Sequence, residues 1–445
     1  MWPESVSPAS NAHPVSKEVL AKPSPMHNSV FSSVQATIYA LLLTISCAAH
    51  AQTYTVLHTF KGAPTDGEAP FGVLNRDSTG NLYGASVEGG SGKCNTHGCG
   101  AAFMLNKTGS EVWLHSFGGK NGEYPSGGLF RDSAGNLYGT TEDGGTNCYG
   151  MGFPGCGTVF KLNKVGSESQ YYSFAGTPNG YSPSSLLVES SGNLYGTALG
   201  GTDGLGVVFS INRTGNETVL HSFTGSSDGC SPAQGVIPDA AGNLYGVTFS
   251  GGSGFCNSGY GTVYKLDTNG VLIVLHTFAG SDGGNPNSRL IFDAQGNLYG
   301  TTANGGNAEC GGTGCGTVFE LSPQPDGNWS QTVLYDFCSL PGCADGQEPE
   351  VGPLAVDSAG NIYGTTYFGG AYRNCNGDAC GVVFKLDTTR KETVLHSFTG
   401  GADGAFPTAG LAIDNSGNLY GTAEEGGDTT CYPPYGCGTV FELTP

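Results

Sequence analysis

The sequence has little charge and few basic residues. Only 12% of its 445 residues are charged, and 17 Lys and Arg stand against 37 Asp and Glu, which leaves a formal net charge of −20. A field of that sign repels polyanions, so the composition argues against nucleic acid as a partner. Acidity is typical of extracellular proteins as well as of cation binders, and we interpret it here as a feature of an extracellular protein.

Long apolar runs are also scarce. The longest, residues 36–49 (ATIYALLLTISCAA), is shorter than the roughly 20 residues of a transmembrane helix, so we expect no membrane span. Because the run ends in Ala-His-Ala, it predicts a signal peptide over 1–51 and a secreted mature chain over 52–445. The alternative is an outer-surface lipoprotein anchored at Cys47, although Thr-Ile-Ser is an unusual sequence before such a cysteine.

Familiar catalytic motifs are missing. The chain has no GxSxG elbow, no HExxH, no phosphate-binding loop and no dinucleotide fingerprint. These absences leave catalysis open, because an active site can be assembled from separate segments without a local signature.

Glycine and internal repetition are abundant instead. The chain contains 76 glycines, and the tetrad NLYG, once NIYG, occurs seven times at intervals of 50 to 64 residues. The tetrads begin at Asn81, Asn136, Asn193, Asn243, Asn297, Asn361 and Asn418. This period is typical of one propeller blade per repeat.

Each repeat contains four segments with strand character. The first is an apolar stretch such as 128–132 (GLFRD), and a glycine turn joins it to the NLYGTT segment. The third resembles 157–162 (GTVFKL) and the fourth 218–223 (TVLHSF), which are rich in β-branched and aromatic residues. The sequence therefore predicts an all-β fold, a seven-bladed β-propeller of four-stranded blades.

The order of the segments predicts how the ring closes. The mature chain begins with a fourth strand, 54–60, and ends with a third strand, 438–443. Pairing of these two strands would complete the last blade and leave no exposed terminal edge. A solenoid would instead need capping units, which the sequence does not show. The long second-to-third and fourth-to-first loops should share one face, our candidate functional surface.

Fourteen cysteines follow Cys47, an even number that favours an oxidising compartment. Six close pairs should form local disulfides, and the two remaining cysteines of one repeat would pair by elimination. The spacing lacks the CxxC half-sites of zinc centres, so we predict no such metal site. The predicted disulfides are Cys94–Cys99, Cys148–Cys156, Cys230–Cys256, Cys310–Cys315, Cys338–Cys343, Cys375–Cys380 and Cys431–Cys437.

Repeated polar residues are interpreted as structural. A histidine recurs in the fourth strand, and an aspartate recurs in the turn before NLYG, positions that suit blade packing and turn formation. The histidines are His58, His115, His221, His276 and His396, and the aspartates are Asp77, Asp132, Asp239, Asp293, Asp357 and Asp414.

Carboxylates just before the Gly-Gly pair break the repeat and are candidate catalytic residues. Closure would bring them into one sector of the rim, where they could act as acid and base on a glycosidic bond or bind a cation such as calcium. A solvated acidic rim is the simpler interpretation. No DxDxDG loop is present, so we expect no cofactor. The candidates are Glu88, Glu142, Asp143, Glu424 and Glu425.

Aromatic residues in the long loops are candidate ligand-binding residues, because such rings stack on sugars. We predict a monomeric extracellular binding or scaffold module for a polysaccharide or a cell-surface protein, with a carbohydrate-active hydrolase or lyase as the alternative. The candidates are Tyr149, Phe153, Phe255, Tyr260, Tyr367, Phe368, Tyr372, Tyr432 and Tyr435.

The units GLxxDxxGNLYGTT, GG, GTVFKL and TVLHSF resemble the GloVer tandem repeat of bacterial secreted proteins, over residues 54–443. The resemblance implies export and a repeat fold, but no particular reaction. Members often carry a C-terminal anchoring segment, which the two residues after the final strand do not provide, so we expect a freely secreted product. The first hairpin is also similar to NHL-type propeller repeats.

Overall fold

The computed structural model describes residues 52–145, 148, 155–188, 192–256, 258–307, 310–349, 352–375 and 377–445. The predicted signal peptide therefore lies outside the described residues. The described chain forms seven antiparallel sheets, each packed against the next in chain order, and the sheets make up the seven blades of a propeller. Two short 3₁₀ helices, Gly119–Asn121 and Pro341–Cys343, lie in loops, and the described part contains no α-helix.

The two inner strands of each blade carry the first segment and the NLYG segment. The first strands of blades 1 to 7, broken in two in blades 2, 5 and 6, are Gly67–Arg76, Glu123–Pro125 with Phe130–Arg131, Tyr181–Val188, Cys230–Pro238, Gly284–Pro286 with Ile291–Phe292, Gln347–Pro349 with Ala355–Val356, and Ala412–Ile413. The second strands are Leu82–Gly89, Leu137–Asp143, Leu194–Leu199, Leu244–Ser250, Leu298–Asn304, Ile362–Phe368 and Leu419–Ala423.

The two outer strands carry the GTVFKL and TVLHSF segments. The third strands are Ala101–Leu105, Thr158–Leu162, Val207–Ile211, Thr262–Leu266, Thr317–Pro323, Val382–Leu386 and Thr439–Thr444. The fourth strands are Glu111–Ser116, Glu168–Ser173, Glu217–Ser222, Leu272–Thr277, Trp329–Asp336, Glu392–Ser397 and, for blade 7, Thr53–Thr59.

The N-terminal strand closes the ring, as predicted. Thr53–Thr59 pairs antiparallel with Thr439–Thr444, from Thr53 opposite Thr444 to Thr59 opposite Thr439. The strand begins and ends one residue earlier than the predicted 54–60, because Phe60 is already turned into the core with 0% exposure. The seven-bladed, four-stranded architecture and its closure are thus confirmed.

The NLYG tetrad has a structural explanation at each position. In blade 1 the Asn81 amide donates to Asp77, Leu82 is buried, and the Tyr83 hydroxyl donates to the same Asp77 carboxylate at 3.1 Å. Gly84 has no room for a side chain, since an added Cβ would meet the ring of Phe103. Hydrogen bonds from this turn hold the pKa of Asp77 below its usual value despite partial desolvation.

Aromatic pairs form the contacts between blades. The phenylalanine after each fourth strand packs against the aromatic residue of the next blade's third strand, with ring centroids 4.7 to 5.5 Å apart. The seven pairs are Phe60–Phe103, Phe117–Phe160, Phe174–Phe209, Phe223–Tyr264, Phe278–Phe319, Phe337–Phe384 and Phe398–Phe441. The first pair joins blade 7 to blade 1, so the closing interface is built like the others.

A backbone hydrogen bond repeats at every blade interface. The residue before a proline in each first strand has φ between 44° and 59° and donates its N–H to the previous blade at 2.7 to 3.2 Å. The seven bonds are Ala69 to Cys437, Tyr124 to Cys99, Ser182 to Cys156, Ser231 to Leu205, Asn285 to Tyr260, Glu348 to Cys315 and Phe406 to Cys380. Residues other than glycine rarely adopt this left-handed backbone conformation. Contacts across the blade interface therefore stabilise it at these seven positions.

All seven predicted disulfides are present, with Cα atoms 4.0 to 5.8 Å apart. Five close the loop before a third strand, and their second cysteine supplies the interface carbonyl described above. Each recurring histidine lies beside a carboxylate, for example His276 beside Asp282 at 2.9 Å, and packs edge-on against the phenylalanine two residues later. These contacts place the histidines in blade packing.

Candidate functional site

A recess of about 410 Å³ opens where the second strands end and the first strands begin. This is the face of the long loops. Residues from six blades line the recess, and their side chains carry apolar, amide, hydroxyl and carboxylate groups. The lining residues are Phe71, Val87, Ser126, Glu142, Ser182, Pro183, Ser184, Leu199, Ser231, Pro232, Ala233, Gln234, Phe249, Asn287 and Glu424.

Strand alternation decides which acids reach the recess. Successive side chains of a strand point to opposite sides, so the last two residues before Gly-Gly diverge. The penultimate ones, Glu142 and Glu424, line the recess together with Phe249. Asp143 lies opposite Glu123 in the sheet, and Glu425 is bonded through its backbone to Ala405.

Glu88 is drawn into a separate cluster on blade 1. Its carboxylate accepts from the Asn95 amide at 3.4 Å and lies beside Glu68 and His97, with one oxygen or nitrogen of each residue within 4.8 Å of the others. Glu68 is buried at 4% exposure and contacts His97 Nδ1 at 2.8 Å. Burial raises the pKa of Glu68, the His97 bond opposes that rise, and the Glu88 charge adds to it.

The recess carboxylates differ in their surroundings. Although Glu142 meets solvent, the walls around it displace enough water to raise its pKa, and the neighbouring charge of Asp143 raises it further. Glu424 is half-buried and its N–H donates to the Phe406 carbonyl at 3.1 Å. A carboxyl with a raised pKa and a second carboxylate therefore share one concave site, an arrangement that can bind hydroxyl groups or transfer protons.

The predicted loop aromatics have several different environments. Phe255 (88% exposed), Tyr372 (47%), Tyr260 (41%) and Tyr432 (40%) are accessible on the loop face. The Tyr432 ring lies near Tyr435 and His97, at 5.3 and 4.7 Å.

Two other loop aromatics are packed inward. Tyr367 stacks on Phe406 at 4.8 Å and meets Phe368 edge-on, so both belong to the blade core more than to a binding surface. Tyr149 and Phe153 lie outside the described residues.

Sequence reasoning missed most of the recess wall. Phe71, Phe249, Gln234 and Asn287 were not predicted, because the prediction rested on carboxylates before Gly-Gly and on aromatic residues of the long loops. The period of two along the NLYG strand was a usable signal. It would have separated the penultimate position, which faces the recess in blades 1, 2, 4 and 7, from the final one. In blade 3 the recess residue is Leu199, which directly precedes Gly-Gly. The first-strand residues carry no such signal, since their strands are irregular.

No helix in the described residues has the length and apolar character that a membrane crossing demands. Comparison with curated proteins finds no match.

Solved structures share the fold at low identity. The extracellular domain of a protein assigned to a hybrid two-component system of B. thetaiotaomicron matches with a TM-score of 0.54 and 13% identity, over 88% of this chain and 41% of that one. A fungal alcohol oxidase in complex with copper matches with a TM-score of 0.51 and 13% identity, over 88% and 76%. The extracellular domain of a protein assigned to a one-component system of B. thetaiotaomicron matches with a TM-score of 0.50 and 12% identity, over 87% of this chain and 43% of that one. The chain thus spans less than half of the two bacterial proteins.

Three overlapping stretches, residues 30–257, 96–313 and 227–441, match the profile of the Gloeobacter/Verrucomicrobia repeat. Together they cover nearly all of the described chain and include the seven NLYG strands that build the blades. The chain belongs to the Gloeobacter/Verrucomicrobia repeat family, and its repeats form a seven-bladed β-propeller.

Proposed function

We propose that the protein is an extracellular binding module that takes a carbohydrate into the recess on its loop face. The observation that carries the proposal is the recess itself, which has about 410 Å³ of space and lies within the usual size range of ligand pockets.

The wall of the recess has the two kinds of group that sugars need. Phe71 and Phe249 offer ring faces for the C–H side of a pyranose, and Phe249 keeps 37% of its surface exposed. Gln234, Asn287 and the recess serines can donate and accept hydrogen bonds with hydroxyl groups. A neutral glycan suits this wall better than an acidic one, because two carboxylates face the recess and the whole chain is acidic.

Seven disulfides support an extracellular location, since such bonds persist in oxidising compartments. The apolar run at 36–49 would supply export as a signal peptide. The proposed partner remains a polysaccharide, free or on a cell surface.

One observation favours a carbohydrate-active hydrolase or lyase as a second candidate. Glu142 and Glu424 line the same recess, and the raised pKa of Glu142 suits a general acid. Under this alternative Glu424 would be the base or nucleophile, and no cofactor would be needed.

The experiment is a glycan-binding and polysaccharide-turnover screen on the purified protein and four variants. Glu142→Gln and Glu424→Gln, alone and together, keep the shape of the recess while removing charge. Glu88→Gln is the matched control, because Glu88 lies in the separate cluster with Glu68 and His97.

We expect the protein to bind a neutral glycan, with affinity reduced in the double variant and unchanged in Glu88→Gln. Product release that is lost in either recess variant would establish the hydrolase or lyase instead. Binding that responds only to Glu88→Gln would overturn the recess as the site.

A further inference from the structure

A second, smaller cavity lies at the centre of the ring. It has about 90 Å³ of space and is lined by first-strand residues from all seven blades. Gln234 borders both this cavity and the recess, so the central cavity lies beneath the recess floor. Its polar lining includes Asn75, Ser185, Thr408 and Arg289.

Arg289 departs from the repeat at this level. Each first strand places one residue before a buried leucine or valine, and in the other six blades that residue is small or apolar: Val73, Gly128, Ser185, Gly235, Pro353 and Gly410. The blades come close together here, because a Cβ added to Gly72 would lie 2.5 Å from the Gly128 nitrogen. Blade 5 therefore carries a long cationic side chain at a level where the other six blades carry a short or apolar residue.

The charge of Arg289 has no partner of opposite sign among the described residues. Its guanidinium lies 4.8 Å from the centroid of the Phe130 ring, and its buried Nε has no hydrogen-bond acceptor. Burial lowers the pKa of Arg289 to about 10, which still leaves it cationic at neutral pH. The described residues that line the cavity include no carboxylate.

A second buried polar atom borders the same cavity without a partner. Thr408 is 3% exposed, and its Oγ1 has no hydrogen-bond partner among the described residues. A partly buried cation without a counter-charge and a buried unpaired hydroxyl are both costly, and a small anion could interact with the two together.

We propose that the central cavity binds one small monovalent anion, of the size of chloride, between Arg289 and Thr408. A single cationic group matches a single negative charge, and about 90 Å³ leaves room for the ion with one or two waters, each of which fills about 30 Å³ in the liquid. The site is separate from the glycan recess, and its role is to hold the seven first strands together at the ring axis.

The test compares thermal stability in sodium chloride with that in sodium gluconate at constant ionic strength. Gluconate is too large for the cavity, so the midpoint of unfolding should rise with chloride along a saturable curve. Arg289→Gln should abolish the rise, and Thr408→Val, which keeps the shape of the side chain, should weaken it. Arg131→Gln is the control, because Arg131 is an exposed arginine of a first strand.

A crystal grown in sodium bromide provides a readout that needs no variant. We expect an anomalous bromide peak beside Arg289 in the central cavity. A midpoint that rises equally in chloride and gluconate, a chloride effect that survives Arg289→Gln, or a central cavity without bromide would each overturn the proposal. Because glycan binding is measured separately, failure here leaves the recess proposal intact.

Discussion

At the scale of single residues, the repeat is maintained by contacts that each blade reproduces, and exceptions to it have measurable consequences. Tyr264 of blade 4 stands where five of the other six blades have the phenylalanine of a GTVF or GVVF segment and blade 1 has that of AAF. Its side chain is fully buried, and its hydroxyl has no hydrogen-bond partner in the part of the chain that the structure describes. The hydroxyl is therefore a cost that the neighbouring blades avoid.

We expect Tyr264→Phe to stabilise the protein by about 1 kcal/mol, because the variant removes a buried unpaired hydroxyl and restores the ring of the other blades. Urea unfolding measures the difference. The matched control is Tyr335→Phe, whose hydroxyl donates to the buried Asp345 at 2.7 Å and whose loss should cost about 1 to 2 kcal/mol. A destabilised Tyr264→Phe protein would mean that the hydroxyl is satisfied.

Glu392 should make stability depend on pH. Burial and the charge of Asp345 raise its pKa to about 7, and no described residue forms a hydrogen bond with its Oε1. Because the folded-state pKa lies above the unfolded value near 4.5, the folded form holds the proton more tightly. Its stabilising contribution is complete below about pH 4.5 and is lost as the pH rises through 7.

Glu392→Gln should therefore match the parent protein near pH 4 and exceed its melting temperature at pH 8. Thermal unfolding of both proteins across this range gives the difference curve. A difference that does not change with pH would show that Glu392 ionises as freely in the folded chain as in the unfolded one.

At the scale of elements, the sequence predicted the strands of blades well because the pattern recurs seven times. The NLYG, GTVF and TVLHSF segments became second, third and fourth strands close to their predicted bounds. The first strands were less predictable. Blades 2, 5 and 6 split them into two short pieces, whereas blades 1, 3 and 4 carry the same left-handed residue before proline within an unbroken strand.

Removal of individual disulfides would show how much the stapled loops stabilise the strands. In the chain-entropy model, the five-residue separation of Cys94 and Cys99 contributes about 2 kcal/mol and the 26-residue separation of Cys230 and Cys256 about 3.5 kcal/mol. We expect double serine variants to lose stability in that order, as measured by urea unfolding. A larger loss for the Cys94 and Cys99 pair would indicate that its contact with Tyr124 of blade 2 matters more than loop closure.

At the scale of the whole molecule, closure through the N-terminal strand makes every blade interface equivalent. Phe60 after the closing strand and Phe337 between blades 5 and 6 are both fully buried against the next blade's aromatic residue. Phe60→Ala and Phe337→Ala should therefore cost similar amounts, about 3 to 5 kcal/mol each. A nearly neutral Phe60→Ala beside a costly Phe337→Ala would describe an open array instead of a ring.

The fold could be read from the sequence, but only part of the site could. Repetition identified the blades, their number and the closing strand, and the cysteine spacing identified all seven disulfides. The carboxylates could be predicted because they break the repeat. Which of them face the recess depends on the alternation of side chains along the second strand. Asn287, Gln234 and Arg289 lie in irregular first strands, where no period indicates which side chains point to the axis.

We propose that the ligand occupies the recess and not the tips of the loops, and a comparison of two variants separates these possibilities. Phe249 lines the recess at 37% exposure, and Phe255 is 88% exposed in the stapled loop of the same blade, so alanine at either position should leave the fold intact. Titration of a bound glycan should show at least a tenfold loss of affinity, about 1.4 kcal/mol, for Phe249→Ala and no loss for Phe255→Ala. Full affinity in Phe249→Ala with a loss in Phe255→Ala would instead show that the ligand binds at the loop tips.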